Sequence, residues 1–123
     1  MKATFIELPC FQRALANYLD DQGFAALQAE MMANPTAGDV IKGTGGLRKL
    51  RCSDGRRGKG KRGGLRVICF WWETGAQFWL FAVYDKNEAA DLTPDERKAL
   101  KAMLKAELDA LSQKKAGSQE VAG

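Results

Sequence analysis

Nine cations crowd into residues 43–66, GTGGLRKLRCSDGRRGKGKRGGLR: Arg48, Lys49, Arg51, Arg56, Arg57, Lys59, Lys61, Arg62 and Arg66. Asp54 is the one carboxylate among them, so the stretch carries +8 in a chain whose net charge is +4, and everything outside it sums to −4. The charge is therefore a local device that calls for a polyanion, an anionic surface or a carboxylate-rich partner, with nucleic acid first among them. A membrane surface is poorly served, because the stretch lacks an apolar amphipathic face. Gly55, Gly58, Gly60, Gly63 and Gly64 alternate with the cations and let backbone come close to a phosphate. Set against this is the ordinary reading of such a run as a solvated charged loop.

Single-stranded RNA suits the array better than duplex DNA, since the cations lie on strand and loop and no helix carries enough of them to read a major groove. RNA also brings its own nucleophile, the 2′-hydroxyl. Cleavage then needs a base for the 2′ proton, cations for the phosphorane and a donor for the leaving 5′-oxygen. Arg is always charged and fits the second task. Lys can donate a proton and, crowded by like charges as Lys59 and Lys61 are, can also accept one. The chain has no His, which removes the commonest base and metal ligand and every Ser-His or Cys-His arrangement. No metal or cofactor is called for. On the residues alone, a ribonuclease and a simple RNA binder both remain open.

The elements that must hold these groups follow from periodicity. Residues 3–8, ATFIEL, read as a first strand ended by Pro9. Two helical segments are expected at about 10–19 and 21–33, broken around Asp20–Gly23 and stopped by Asn34-Pro35. Residues 36–46 are polar and glycine-rich and predict no regular element; they lack the Walker pattern of a phosphate loop. Strands are expected at 47–51, 65–72 and 77–84 as an antiparallel meander, with 65–72 the most buried. In the first of these, alternation puts Lys49 and Arg51 on one face, with Arg48 and Leu50 on the other. Trp71, Trp72 and Trp79 are expected to pack across neighbouring strands, with base stacking as the sharper alternative. Thr93-Pro94-Asp95-Glu96 opens a helix with a capping box, followed by an apolar stripe of Leu100, Met103, Leu104, Leu108 and Leu111. Arg97, Lys98, Lys101 and Lys105 are assigned to its polar faces. The expected division is a domain at 1–111 and a disordered tail at 112–123. The order strand, two helices, strands, helix is an α+β fold.

Other classes are excluded or disfavoured by what is missing. No apolar run approaches a membrane span, and Glu7 and Pro9 interrupt the N-terminus before a secretory leader could form. Cys10, Cys52 and Cys69 match neither a disulfide framework nor a zinc signature, and fit reduced thiols of a cytoplasmic protein.

Three segments together, 42–51 (KGTGGLRKLR), 58–72 (GKGKRGGLRVICFWW) and 83–100 (VYDKNEAADLTPDERKAL), resemble the RelE/HigB toxins of type II toxin–antitoxin systems, in a HigB-like branch with a basic insertion. The resemblance covers roughly residues 1–110. It implies a RelE/ParE-like α+β fold and a metal-independent, ribosome-dependent endonuclease that cuts mRNA in the decoding site. As partners it implies the ribosome and mRNA, a helix-turn-helix antitoxin, and operator DNA only through that antitoxin. Carried over by motif, Lys59, Lys61, Arg66 and Lys86 look like the catalytic groups. Lys49, Arg51, Arg56, Arg57, Arg62 and Tyr84 look like RNA contacts. One departure stands out. The Tyr that related enzymes carry shortly before the C-terminus has no counterpart around Asp91-Leu92-Thr93, which leaves Lys59 or Lys61 as first choice for the base. Two rivals remain, a ParE-like poison of DNA gyrase and a non-catalytic RNA or ribosome binder.

Overall fold

The computed structural model describes residues 2–52, 64–86 and 92–122, with side chains as far as Ser112 in the last stretch. The elements are β1 (Thr4–Glu7), α1 (Pro9–Tyr18), α2 (Asp21–Ala33), β2 (Asp39–Val40), β3 (Arg48–Cys52), β4 (Leu65–Trp72), β5 (Gln77–Asp85) and α3 (Pro94–Ala122). They form two compact units, one of Met1–Ile41 with Gly46–Asp91 and one of Lys42–Gly45 with Leu92–Gly123.

The first unit is a five-stranded sheet in the order β1-β5-β4-β3-β2. The expected meander is present in β3, β4 and β5, which pair antiparallel. The sheet as a whole is mixed, however, because β1 joins its edge parallel to β5. A parallel neighbour needs a long crossover, and α1 and α2 lie in the intervening chain. Residues 36–46, expected to be irregular, contain the two-residue strand β2, which closes the other edge against β3. So short a strand has no periodicity of its own to read; its pairing is what defines it. β5 is buried from Phe78 through Phe81 and again at Val83 and Asp85, and so is buried at least as deeply as β4, the strand expected to be deepest.

One face of the sheet packs on α1 and α2. Leu50, Cys52, Leu65, Val67, Cys69, Phe78, Leu80 and Val83 meet Phe11, Leu19, Leu27 and Met31 in one core. Burying a side chain of this size is worth about 1.5–3 kcal/mol relative to exposure, so this core anchors the strands that carry the cations. Pro9 occupies the first turn of α1, where its missing N–H costs nothing. The helix break is shorter than expected, only Leu19 and Asp20. Asp20 caps α2 by accepting the Gly23 N–H at 2.7 Å, and Gly23 belongs to the helix. On the other face Trp79 packs against Phe70 and Trp72, with ring centroids 5.3 and 5.9 Å away, and donates its indole N–H to Gln77 Oε1 at 3.0 Å. Trp71 lies 4.5 Å from Phe78. The tryptophans thus pack across strands, as expected.

In the second unit the capping box closes in both directions: Glu96 N–H donates to Thr93 Oγ1 at 3.1 Å, and Thr93 N–H donates to Glu96 Oε1 at 2.8 Å. Leu100 and Leu104 are buried. Arg97, expected on a polar face, is half-buried on the same helical side, at the i, i+3, i+7 spacing that Leu100 and Leu104 complete. The backbone of α3 runs through Ala122, and the Ala, Lys, Gln and Glu in its last turns are good helix formers. No helix among the described residues is long and apolar enough to cross a membrane.

Candidate functional site

The strand-borne cations come together on the sheet face opposite α1 and α2, where Ile68, the direct partner of Lys49, is fully buried. In the β3–β4 ladder Arg51 is directly opposite Arg66, and in the β4–β5 ladder Arg66 is directly opposite Tyr84. Opposed residues project to the same side, so Arg51, Arg66 and Tyr84 form one row across three strands, each about 4.8 Å from the next. Lys49 lies two residues from Arg51 on β3 and therefore on the same side. The expectation that Lys49 and Arg51 share one face matches the strand register, and that register adds Arg66 to the same face.

Local geometry sharpens each position. Arg66 is half-buried, and its Nη1 donates to Leu65 O at 3.0 Å, which holds the guanidinium at the head of β4. Arg51 is exposed and Lys49 half-buried. The backbone N–H of Lys86 donates to Gly64 O, which pins that residue beside the start of β4 with its side chain exposed. Tyr84 is half-buried and its hydroxyl is shielded from solvent.

The remaining predicted residues, Arg56, Arg57, Lys59, Lys61 and Arg62, lie outside the described residues. The described residues that flank them in sequence are Cys52 and Gly64, and Cys52 is paired with Leu65. Both flanks therefore abut the Arg51–Arg66 row. Arg48, counted among the nine cations, belongs to the opposite face, across from Cys69, and its Nη1 donates to Gly38 O at 3.2 Å. Burial pushes the Cys69 thiol up to about 12, with nearby Arg48 opposing the shift, so Cys69 is a core residue with no thiolate to offer at neutral pH.

Two residues escaped the sequence reading. Asp85, placed in a polar segment beyond the sheet, is the last residue of β5 and is fully buried opposite Leu65. Asp39 sits on β2 directly across from Lys49. Its only sequence signal was the β-branched Val40 and Ile41 that follow.

Two guanidinium groups placed directly opposite each other are destabilising by a few tenths to about 1 kcal/mol. A third cation on the same face adds to the repulsion. Such an arrangement becomes favourable when an anion lies over it, and recognition of a phosphodiester is chemistry that Arg51, Arg66 and Lys49 can support.

Residues 11–119 match the family model described as RelE toxin of the RelE/RelB toxin–antitoxin system. Among solved structures, a double mutant of the E. coli toxin RelE in the free state is similar at 14% identity and a TM-score of 0.47, over 73% of this chain and 90% of that one.

Proposed function

The chain belongs to the RelE toxin family of toxin–antitoxin systems, and from that premise we propose that it is a ribosome-dependent mRNA endonuclease of the HigB-like branch. The observation that carries this reading is the Arg51–Arg66–Tyr84 row with Lys49 on the same face, bordered by both ends of the glycine-laced basic segment. The HigB-like assignment rests on GKGKRGG preceding LRVICFWW, a combination carried by residues 58–72.

In the proposed reaction the 2′-oxygen of one nucleotide attacks the adjacent phosphorus. Its proton passes to Lys59 or Lys61 in the neutral form. Arg66 holds the two non-bridging oxygens as the phosphorane develops, and Lys86 assists from the β5 side. The P–O5′ bond then breaks and a protonated Lys delivers a proton to the 5′-oxygen. The products are a 2′,3′-cyclic phosphate and a 5′-hydroxyl. Lys49, Arg51, Arg56, Arg57, Arg62 and the Tyr84 ring hold the message on either side. The chemistry draws on this chain's own side chains and needs no metal. A helix-turn-helix antitoxin would inhibit it and contact operator DNA, and the site of action is cytoplasmic.

Controlled expression with mapping of 5′ ends on translated transcripts tests the proposal. New 5′ ends within translated regions are expected. They should vanish for Arg66→Ala and for the Lys59/Lys61 double Ala variant, both remaining folded. Full cleavage by both variants would remove these residues from the mechanism. Intact message with inhibited supercoiling would replace the reading with gyrase poisoning. Salt-sensitive ribosome association without new ends would leave a binder.

A further inference from the structure

The ladder between β4 and β5 skips one residue. Cys69 is opposite Leu80 and Ile68 is opposite Ala82, so Phe81 stands opposite no residue of β4 and forms a β-bulge. It is buried, at 1% exposure. The pairing of β5 with β1 stops at the same place: Leu8 N–H donates to Leu80 O at 3.0 Å, and Pro9 then opens α1. Beyond Leu80, β4 is the one described strand that pairs with β5, so a bulge there disturbs a single ladder.

An extra residue inverts the alternation of everything after it. Before the bulge, Phe78 and Leu80 enter the core under α1 and α2, while Trp79 lies on the other face against Phe70 and Trp72. After it, Val83 enters that core and Tyr84 is opposite Arg66. Alternation along β4 is unbroken, with Leu65, Val67 and Cys69 all in the core. The change of phase thus belongs to β5.

Regular pairing continued from Cys69–Leu80 would give the same chain a different face. Val83 would stand opposite Arg66, and Tyr84 would stand opposite Leu65 in the core. Asp85 would take the place beside Gly64 where Lys86 N–H now donates to Gly64 O at 2.6 Å. The face of Arg51 and Arg66 would then lose a lysine and gain a carboxylate, which weakens any hold on phosphate. The bulge instead seals Asp85, fully buried, opposite Leu65. It also sets Val83 in the core in place of the smaller Ala82, and the added apolar burial favours the bulged register. We infer that the bulge at Phe81 is the positioning element of the candidate site: it delivers Tyr84 and Lys86 to the face of Arg51 and Arg66 and keeps Asp85 off it. The consequence for RNA rests on the proposed function; the phase of β5 does not.

The test measures denaturant unfolding, and binding of a labelled single-stranded RNA across a salt series. It uses Val83→Thr, Asp85→Asn and Lys86→Ala, and the Ala82→Leu/Val83→Ser pair with and without Asp85→Asn. In the bulged phase, Lys86→Ala should make the salt slope shallower by about 0.7 and leave the unfolding midpoint in place. Val83→Thr and Asp85→Asn should lower the midpoint and leave RNA affinity unchanged. Tighter binding by Asp85→Asn, or an unaltered slope for Lys86→Ala, overturns the inference. The Ala82→Leu/Val83→Ser pair favours the regular register, with Leu in the core and Ser outside it. It should bind RNA on the order of tenfold more weakly with every cation retained, and Asp85→Asn should restore part of that affinity by removing the carboxylate from the face. A folded pair with wild-type affinity, or one that Asp85→Asn fails to improve, overturns the inference. If the pair does not fold, the three single variants decide. If wild-type protein binds no RNA, the proposed function falls and the midpoints alone decide: losses at Val83 and Asp85 with none at Lys86 sustain the phase, and any other pattern overturns it.

Discussion

Arg51 and Arg66 face one another across β3 and β4, with no residue between them in the ladder. Of the two, Arg66 is half-buried and tied to Leu65 O, while Arg51 is exposed. The pair is an electrostatic liability to the empty fold and an asset to an anion site. That division lets stability and function be moved in opposite directions by one substitution.

Arg51→Glu should do so. Placing an opposite charge across from Arg66 replaces repulsion by attraction and should stabilise the protein by about 0.2–1 kcal/mol. On the proposed function the same change puts a carboxylate against the bound phosphate, so RNA affinity and growth inhibition should both collapse. Denaturant unfolding and an RNA-binding titration on the same sample check the two signs together. A variant that lost stability and kept toxicity would remove Arg51 from the site.

Salt dependence should count the phosphate contacts. For single strands the slope of log K against log salt is roughly −0.7 per phosphate neutralised. Removing Lys49, Arg51 or Arg66 by Ala should therefore make the slope shallower by about 0.7 each. Arg48→Ala should leave it unchanged, because Arg48 belongs to the other face and bonds Gly38 O. Equal slopes for Arg48→Ala and Arg51→Ala would contradict the division of the two faces.

The turn between β4 and β5 offers a stability test away from the site. Ala76 holds φ +51°, a left-handed conformation that costs a non-glycine residue roughly 1–2 kcal/mol. Ala76→Gly should raise stability by a few tenths to about 1 kcal/mol after the larger unfolded-state entropy of Gly is subtracted. Its neighbour behaves oppositely: a Cβ on Gly75 would collide with the Trp72 ring, so Gly75→Ala should destabilise. Thermal melts of both variants separate the two effects.

The contrast between what was and was not legible in the chain has a physical basis. β4 and β5 were readable because long apolar runs are bracketed by glycines and by the Glu73–Ala76 turn, and the α3 start because Thr93, Pro94 and Glu96 encode it locally. That Lys49 and Arg51 share a face follows from period 2 alone. That Arg51 meets Arg66, and Lys49 meets Asp39, depends on register between strands separated by turns and loops, which no local pattern specifies. β2 and the parallel seat of β1 were missed for the same reason: each is defined by its partner. Asp85 and Arg97 misled because charge suggests exposure, whereas β5 buries the first and the inner side of α3 half-buries the second.

Cys69 should give the protein a distinct alkaline limit. Burial disfavours the thiolate and pushes its thiol from an ordinary 9.0 up to about 12 in the folded protein. Above pH 9 the unfolded chain releases this proton while the folded one keeps it, so stability falls as pH rises, by at most about 1.4 kcal/mol per pH unit until the folded thiol ionises. Below pH 9 the group is neutral in both states and contributes no slope. Cys69→Ala should flatten the alkaline limb of the stability curve, although it costs some core packing at every pH. The quantity to measure is the wild-type minus Cys69→Ala difference in unfolding free energy from pH 7 to 10.5. It should be constant to about pH 8.5 and then shrink; a difference that stayed constant throughout would mean that water reaches the thiol.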